Sequence, residues 1–254
     1  MAIIGVVMIH VGQMVHGLSP WAARFTAHGF RGVQLFFIVS ALTLSFAYRY
    51  KAFDPRSFYV RRFFRIAPMF YLAIVGYSLL AEATGEHGKF TLIDVGLTLT
   101  FLHGFTFSSI NSVVPGGWSI AAEALFYATF PLILACLTTL NRSLIALGVA
   151  TIVSFAGARF LGDVAAPFSH FGFITSLPAF LLGITLFFLL RDSRVDRLDP
   201  RTATAGLWVS ALVLFLVGIC DIGILRNGVT TSYIWPGLFS LLLFPAAGSS
   251  RAQV

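Results

Sequence analysis

The sequence predicts an all-α protein, a polytopic transmembrane bundle of about eight to nine apolar helices. Hydrophobic residues make up 57% of the 254 residues, charged residues make up 11%, and the mean hydropathy is +0.88. A soluble globular protein devotes about a quarter of its residues to charge. The chain therefore lacks the polar surface of a soluble enzyme, and it is too apolar to be intrinsically disordered.

Long apolar stretches define the predicted spans, because a helix needs about 20 apolar residues to cross roughly 30 Å of hydrocarbon. The candidate segments are residues 1–18, 32–48, 66–81, 92–107, 118–140, 143–160, 173–190, 202–220 and 232–246. Strands of a membrane barrel would alternate in polarity, whereas the runs 132–137 and 179–190 are continuously apolar. We therefore expect helices, arranged in a single integral-membrane domain over residues 1–254.

Basic residues set the expected orientation of the chain in the membrane. The connection 49–65 carries six Lys and Arg residues and one Asp, which predicts that it is cytoplasmic. The connection 191–201 carries four Arg residues and is expected on the same side. Five candidate segments separate these connections, and five crossings would place them on opposite sides. The segment 92–115, which contains Asp94 and His103, is the one that we expect not to cross.

His10 is an ionisable residue in the middle of an otherwise apolar predicted span. Such residues are costly in hydrocarbon and are therefore candidates for function. Gln13 and Gly17 follow at i+3 and i+7 on the same helical face. A neutral imidazole can act as a general base near pH 7. A hydrogen bond between packed helices is the structural alternative, and the position of His10 alone does not decide between them.

Glu123 is the only acidic residue in the predicted span 118–140. Ser119 precedes it by four residues and Tyr127 follows it by four, so the three form one polar stripe. The Pro-Gly-Gly sequence at 115–117 allows a helix to begin there. Glu123 could therefore cap or pack the start of this helix. The functional alternative is a carboxylate that orients a base or binds a hydroxyl group.

Arg62 and Arg65 form an Arg-x-x-Arg pair directly before Pro68. Two guanidinium groups at this spacing could share one phosphate group. Charge that only sets topology is the alternative interpretation. The sequence shows no His-Glu-x-x-His, paired Cys, phosphate loop or Gly-x-Ser-x-Gly pattern, so we expect no metal site. The basic charge is explained by orientation, and we expect no nucleic-acid partner.

Three segments together resemble the acyltransferase 3 family of polytopic membrane acyltransferases. The first combines His10 in VVMIH with GVQLFFIVS at residues 32–40. The second is FYVRRFFRIAP at residues 58–68, and the third is GWSIAAE at residues 117–123, followed by Phe126-Tyr127 and Pro131. The order and spacing of the three segments are specific, and they cover roughly the first half of the chain.

The resemblance implies transfer of an acyl group, most often acetyl from acetyl-CoA, to a hydroxyl of a carbohydrate or glycolipid. It makes His10 the essential histidine and places Glu123 in a third, less understood motif. Acyl-CoA is then a donor substrate, and no permanently bound cofactor is expected. The residues expected to bind donor or substrate are Arg61, Arg62, Arg65, Trp118, Ser119 and Tyr127.

Three features depart from the family pattern. The Arg that usually precedes the first histidine would lie before Met1, the family's Ser-Gly reads Ser40-Ala41, and the chain is shorter than typical members. The resemblance predicts a chain shortened at its N-terminus and also at its C-terminus, located in a bacterial inner membrane. A transporter or lipid-binding protein without acyl chemistry, or an inactive family member, are the alternatives. The sequence does not identify the acceptor.

Overall fold

The computed structural model describes residues 31–106, 108–160 and 172–191, together with residues 7–8, 11–12, 15, 17–19, 22, 26 and 205. Over these residues the secondary structure is helical, with turns and no β-strand, which confirms the all-α fold class. The helices are α1 (Arg31–Tyr48), α2 (Pro55–Ala83), α3 (Leu92–Leu99), α4 (Gly117–Cys136), α5 (Leu140–Phe160) and α6 (Phe173–Leu189), with a 3-10 turn at Leu102–Phe105.

Three of these helices have the length and apolar composition of membrane spans: Pro55–Ala83, Gly117–Cys136 and Leu140–Gly157. Two shorter apolar helices, Gly32–Tyr48 and Phe173–Leu189, match predicted segments closely. The predicted spans at 202–220 and 232–246, and most of the one at 1–18, lie outside the described residues. The full count of eight to nine segments therefore stays a prediction.

Helix α2 begins well before the predicted span at 66–81. The Asp54 carboxylate accepts hydrogen bonds from the backbone N–H groups of Arg56 and Ser57, at 3.2 and 3.3 Å, and Pro55 occupies the first helical position. These signals start a 29-residue helix inside the basic connection. The helix thus includes the last eleven residues of the basic connection 49–65 ahead of the predicted span.

Segment 92–107 is not a continuous helix. Helix α3 has eight residues and a capping box, in which Thr91 and Asp94 bond reciprocally through side chain and backbone. It ends at Leu99, and Phe101 adopts a left-handed conformation with φ of 60° before the 3-10 turn. Eight residues extend only about 12 Å. No helix in this segment can cross a bilayer, which agrees with the expectation from charge.

The chain forms two compact units, which we describe separately. One comprises residues 1–49, 137–151 and 178–254, and the other residues 50–136 and 152–177. In the first, Phe37 of α1 stacks on Phe180 of α6 with ring centroids 4.4 Å apart. A side chain at Gly183 would overlap the Ile38 carbonyl oxygen, and Ala41 lies against the same glycine. Glycine at 183 permits this close approach, although position 41 is alanine.

In the second unit, α2 and α4 pack antiparallel. Tyr59, near the start of α2, donates a hydrogen bond of 3.1 Å to the carbonyl of Ala128, in the second half of α4. Phe70, near the middle of α2, lies beside Gly117 at the start of α4. The connection 84–116 between these helices must therefore leave and re-enter at the same end of the pair.

This arrangement predicts which positions share a membrane face. Helix α2 extends about 44 Å, enough to cross the bilayer. In a variant lacking Cys136 and Cys220, we expect single cysteines at Lys89 and Ser108 to react with an impermeant thiol reagent from one side. A cysteine at Lys51 should react only from the other side. If Ser108→Cys and Lys51→Cys reacted from the same side of the membrane, residues 84–116 would have to cross it, and the arrangement would be wrong.

Candidate active site

Aromatic side chains form the contact between α2 and α4. Phe58 has no exposed surface, and its ring stacks on Phe130 with centroids 5.5 Å apart. The Tyr127 ring meets Phe58 edge-on at 6.3 Å, and Phe126 packs against Phe130 at 5.6 Å. Burial of several rings and their edge and stacked geometries stabilise this helix pair. The contact holds the faces of both helices that carry the predicted site residues.

The Arg62 guanidinium lies over this aromatic cluster. Its central carbon is 5.6 Å from the Tyr127 ring centroid and 6.0 Å from the Phe58 centroid. Both distances fall in the range of cation–π attraction. Its Nε is buried and has no hydrogen-bond partner within the described part of the chain. A guanidinium group that lies on aromatic rings and keeps an N–H donor without an acceptor in this part of the chain is suited to binding an anion.

The three arginines predicted to bind donor are not equivalent. Arg62 is partly buried because it is one helical turn from Phe58, on the face turned toward α4. Arg61 and Arg65 are exposed. Arg65 follows Arg62 at i+3 and stays on nearly the same face, while Arg61 points further round the helix. Arg62 lies over the Tyr127 and Phe58 rings of the cluster.

Glu123 is buried on α4, with 3% of its surface exposed, and accepts a hydrogen bond from the Tyr127 phenol one turn later. A buried carboxylate is costly unless it is hydrogen-bonded, so this bond is needed at the site. Glu123 lies six residues after the start of α4, beyond the first turn. The bond joins two members of the polar stripe that the sequence indicated, while the chemical role of each stays a prediction.

Trp118 and Ser119 occupy the first turn of α4. The Ser119 hydroxyl donates to the Gly116 carbonyl at 2.8 Å, so it closes the turn before the helix. Gly116 needs its positive φ of 80°, and its N–H donates to the Asn111 side chain at 2.7 Å. Trp118 is partly buried. The polar stripe is thus divided: Ser119 shapes the helix start, and Glu123 and Tyr127 face the aromatic cluster.

The structure brings together Arg62, Tyr127 and Glu123, in that spatial order. Tyr127 links the other two because its ring carries the guanidinium and its hydroxyl binds the carboxylate. Phe58 completes the group and was missed from the sequence. The signal for it was its i−4 position relative to Arg62, which places both on one helical face.

His103 is a second residue that sequence reasoning did not assign. It has 1% of its surface exposed, and its Nε2 lies 3.1 Å from the Gly117 carbonyl oxygen. Burial lowers the pKa of its imidazole, and the Gly117 and Leu97 carbonyls oppose this effect in part. Within the described ranges, no group of three or more His, Cys, Asp or Glu residues could hold a metal ion.

His10, the predicted general base, lies outside the described residues. Its assignment therefore rests on the sequence alone. Arg61, Arg62, Arg65, Trp118, Ser119, Glu123 and Tyr127 all lie in the second compact unit.

Comparisons with known proteins give a consistent result. A family model described as an acyltransferase domain of the acyltransferase 3 type matches residues 1–253. Two proteins of Staphylococcus aureus, from strains COL and MSSA476, are each 23% identical over 267 residues, and their names assign them O-acetyltransferase activity by inference. The match covers 95% of this chain but 41% of each relative, so the chain spans about two fifths of their length. No solved structure matches at a significant level.

The bond between Tyr127 and Glu123 should contribute to stability. In Tyr127→Phe the ring remains over Arg62, but the buried carboxylate loses the hydrogen bond from the phenol, which costs about 1–3 kcal/mol in the free energy of unfolding. Reversible denaturation in detergent measures this loss. Tyr59→Phe is the matched control, because it also removes one phenol hydrogen bond to α4 but at an exposed side chain and to a neutral carbonyl. Equal losses in the two variants would contradict a special role for the buried bond.

Proposed function

The chain belongs to the acyltransferase 3 family of acyltransferase domains, and on that premise we propose that it is a membrane-bound O-acyltransferase. The donor is acyl-CoA, in the first instance acetyl-CoA. The acceptor is a hydroxyl group of a carbohydrate or of a cell-surface glycan or glycolipid. The three apolar helices support an integral membrane location, and we place the protein in a bacterial inner membrane as a multi-pass protein.

The observation that carries the proposal is the unpaired guanidinium on the aromatic cluster. Helix α4 has 20 residues, and Tyr127 lies ten residues from its start, near the middle of a helix about 30 Å long. The Arg62 side chain reaches this level from α2. A cation near the middle of an apolar helix pair is costly, and such residues mark functional paths. No carboxylate forms a salt bridge with Arg62 among the described residues.

Phosphate groups of CoA fit this cation. Arg62 offers guanidinium donors that can bind an oxyanion in bidentate fashion, and Arg65 and Arg61 supply further positive charge on the adjoining turns. The positive charge of the exposed Arg61 and Arg65 attracts the CoA phosphates. Arg62 binds the part of the donor that enters between the helices. This division of roles follows from their different burial.

Glu123 and Tyr127 are suited to the acceptor. The carboxylate accepts the phenol hydrogen bond, and a carboxylate is a hydrogen-bond acceptor of the kind that an acceptor hydroxyl needs. In the proposed step the acceptor oxygen attacks the thioester carbonyl carbon and the carbon–sulfur bond breaks. His10 takes the hydroxyl proton and returns it to the departing CoA thiolate. Trp118 and Ser119 then belong to the acceptor side, because they begin the helix that carries Glu123.

The remaining apolar runs complete the proposed bundle. We assign residues 1–18, 202–220 and 232–246 as further spans, which gives the eight to nine apolar segments when the non-crossing segment 92–107 is included. The basic start of α2 is cytoplasmic in this arrangement, which is the side where CoA is available. All of residues 1–254 form one acyltransferase domain.

Arg62 should control donor affinity. We expect Arg62→Ala to weaken CoA binding at least about tenfold, equivalent to roughly 1.4 kcal/mol, because a charged hydrogen-bonding partner is lost. Binding of CoA to the full chain in nanodiscs can be measured by calorimetry, which needs no acceptor. Arg61→Ala is the matched control and should change affinity less than threefold, since that side chain is exposed. Equal effects would reject the special position of Arg62, and an absence of CoA binding by the unmodified chain would reject the donor.

His10 should be required for transfer and not for insertion. General base help contributes about 10²–10⁴-fold to rate, so His10→Ala should lower transfer of radiolabelled acetyl from acetyl-CoA by that factor. Membrane insertion and CoA binding should be unchanged. The control is Gln13→Ala on the same predicted face. A well-inserted His10→Ala protein with full transfer would show that His10 is not the base, and transport without transfer would favour the transporter alternative.

A further inference from the structure

His103 holds the start of α4 from outside that helix. Its Nε2 is 3.1 Å from the carbonyl oxygen of Gly117, the first residue of α4. A carbonyl oxygen only accepts hydrogen bonds, so Nε2 carries the proton and donates. In the neutral ring Nδ1 then carries the lone pair, and it is buried without a hydrogen bond of normal geometry in the described part of the chain. The Leu97 carbonyl near the ring favours the charged form, but its effect is smaller than that of burial. The geometry therefore selects one neutral tautomer.

Packing on both sides restrains the same residue. The His103 ring stacks on Phe70 of α2 with centroids 5.7 Å apart. A Cβ at the next residue, Gly104, would lie 2.8 Å from the Cβ of Ala121, so the 3-10 turn presses directly on the second turn of α4. The Gly117 N–H donates a hydrogen bond of 2.8 Å to the Val114 carbonyl oxygen. The first residue of α4 is thus fixed through both its N–H and its carbonyl group.

Among the residues that the structure describes, the elements packed on the ring present no charged side chain to it. Helix α2 presents the Phe70 ring, α3 the Leu97 carbonyl and α4 the Gly117 carbonyl. The charged or titratable side chains of these helices nearest in sequence to those contacts are bonded elsewhere. Asp94 bonds Ser109 and Thr91, Tyr71 donates to Leu99, Glu123 accepts from Tyr127, and Arg62 lies over Tyr127 and Phe58.

We propose that neutral His103 is a positioning residue that fixes the start of α4, and through it Glu123 and Tyr127, and that protonation of the ring releases this contact. Burying a second ring proton without a carboxylate partner is unfavourable, so the protonated ring is expected to leave its place. Glu123 lies six residues after Gly117 on the same continuous helix, so a shift of the helix start moves the carboxylate. The catalytic consequence rests on the proposed function, whereas the effect on α4 does not.

The sign of the pH effect follows from the buried ring. Burial lowers the pKa of His103, so the unfolded chain binds more protons than the folded one. The contribution of neutral His103 to the free energy of unfolding is therefore fully present above the pKa of histidine in the unfolded chain, about 6.5. It is lost as the pH falls below that value. In that window the unfolding equilibrium constant should rise up to about tenfold per pH unit because of His103 alone.

Two variants separate the hydrogen bond from the titration. His103→Gln keeps an N–H donor near the position of Nε2 and does not titrate. His103→Phe keeps the stacking on Phe70 and has no donor. Each full-length protein is placed in nanodiscs, and its unfolding equilibrium and its acetyl transfer are measured between pH 5 and pH 8.

We expect His103→Gln to match the unmodified protein at pH 7.5 and to lose its acid sensitivity in both measurements. His103→Phe should be less stable at every pH and show the same flat profile. An acid decline that persists unchanged in His103→Gln would overturn the proposal, as would an unmodified protein whose stability does not vary between pH 7.5 and pH 5. If stability follows this pattern but no acetyl transfer is found at any pH, the proposed function fails and the positioning role stands.

Discussion

The cost of placing a guanidinium between apolar helices is the constraint on which the site depends. Arg62 is partly buried on the face of α2 that packs against α4, and in the described structure the Phe58 and Tyr127 rings take the place of a carboxylate partner. Ring faces attract a cation but supply no hydrogen-bond acceptors. The site is therefore stable enough to fold while leaving its positive charge available to a ligand.

Tyr127 connects this cation to the buried acid without an ion pair between them. Its ring interacts with Arg62 and its hydroxyl donates to Glu123, so the two charged groups are held apart by one rigid side chain. Under the proposed function, this separation by an aromatic ring places the cation on the donor side and the carboxylate on the acceptor side.

The connection between the two helices contributes to the site although it carries none of the predicted site residues. Residues 84–116 begin with a capped short helix and end in a 3-10 turn that packs His103 and Gly104 against the start of α4. Helix starts that are held by contacts from other elements are more precisely placed than free ones. The antiparallel pair is thus fixed at this end by hydrogen bonds, and near the other by the aromatic cluster.

The sequence by itself determined the fold class, the family, and the residues of the two central motifs. The length of an apolar run and the charge of the loops beside it are local properties, and they decide whether a segment can span a bilayer and in which orientation. It also indicated that segment 92–107 does not cross. The tertiary structure decided that Arg62 lies over an aromatic cluster that includes Phe58. It also decided that Ser119 bonds Gly116 while Glu123 bonds Tyr127, and that His103 bonds the start of α4. The contacts that join α2 to α4 connect residues 65 or more positions apart in sequence, such as Arg62 with Tyr127 and Tyr59 with Ala128, so they depend on which helical face meets a neighbour. Helical spacing gives the faces of each helix, but only packing selects the face that is buried.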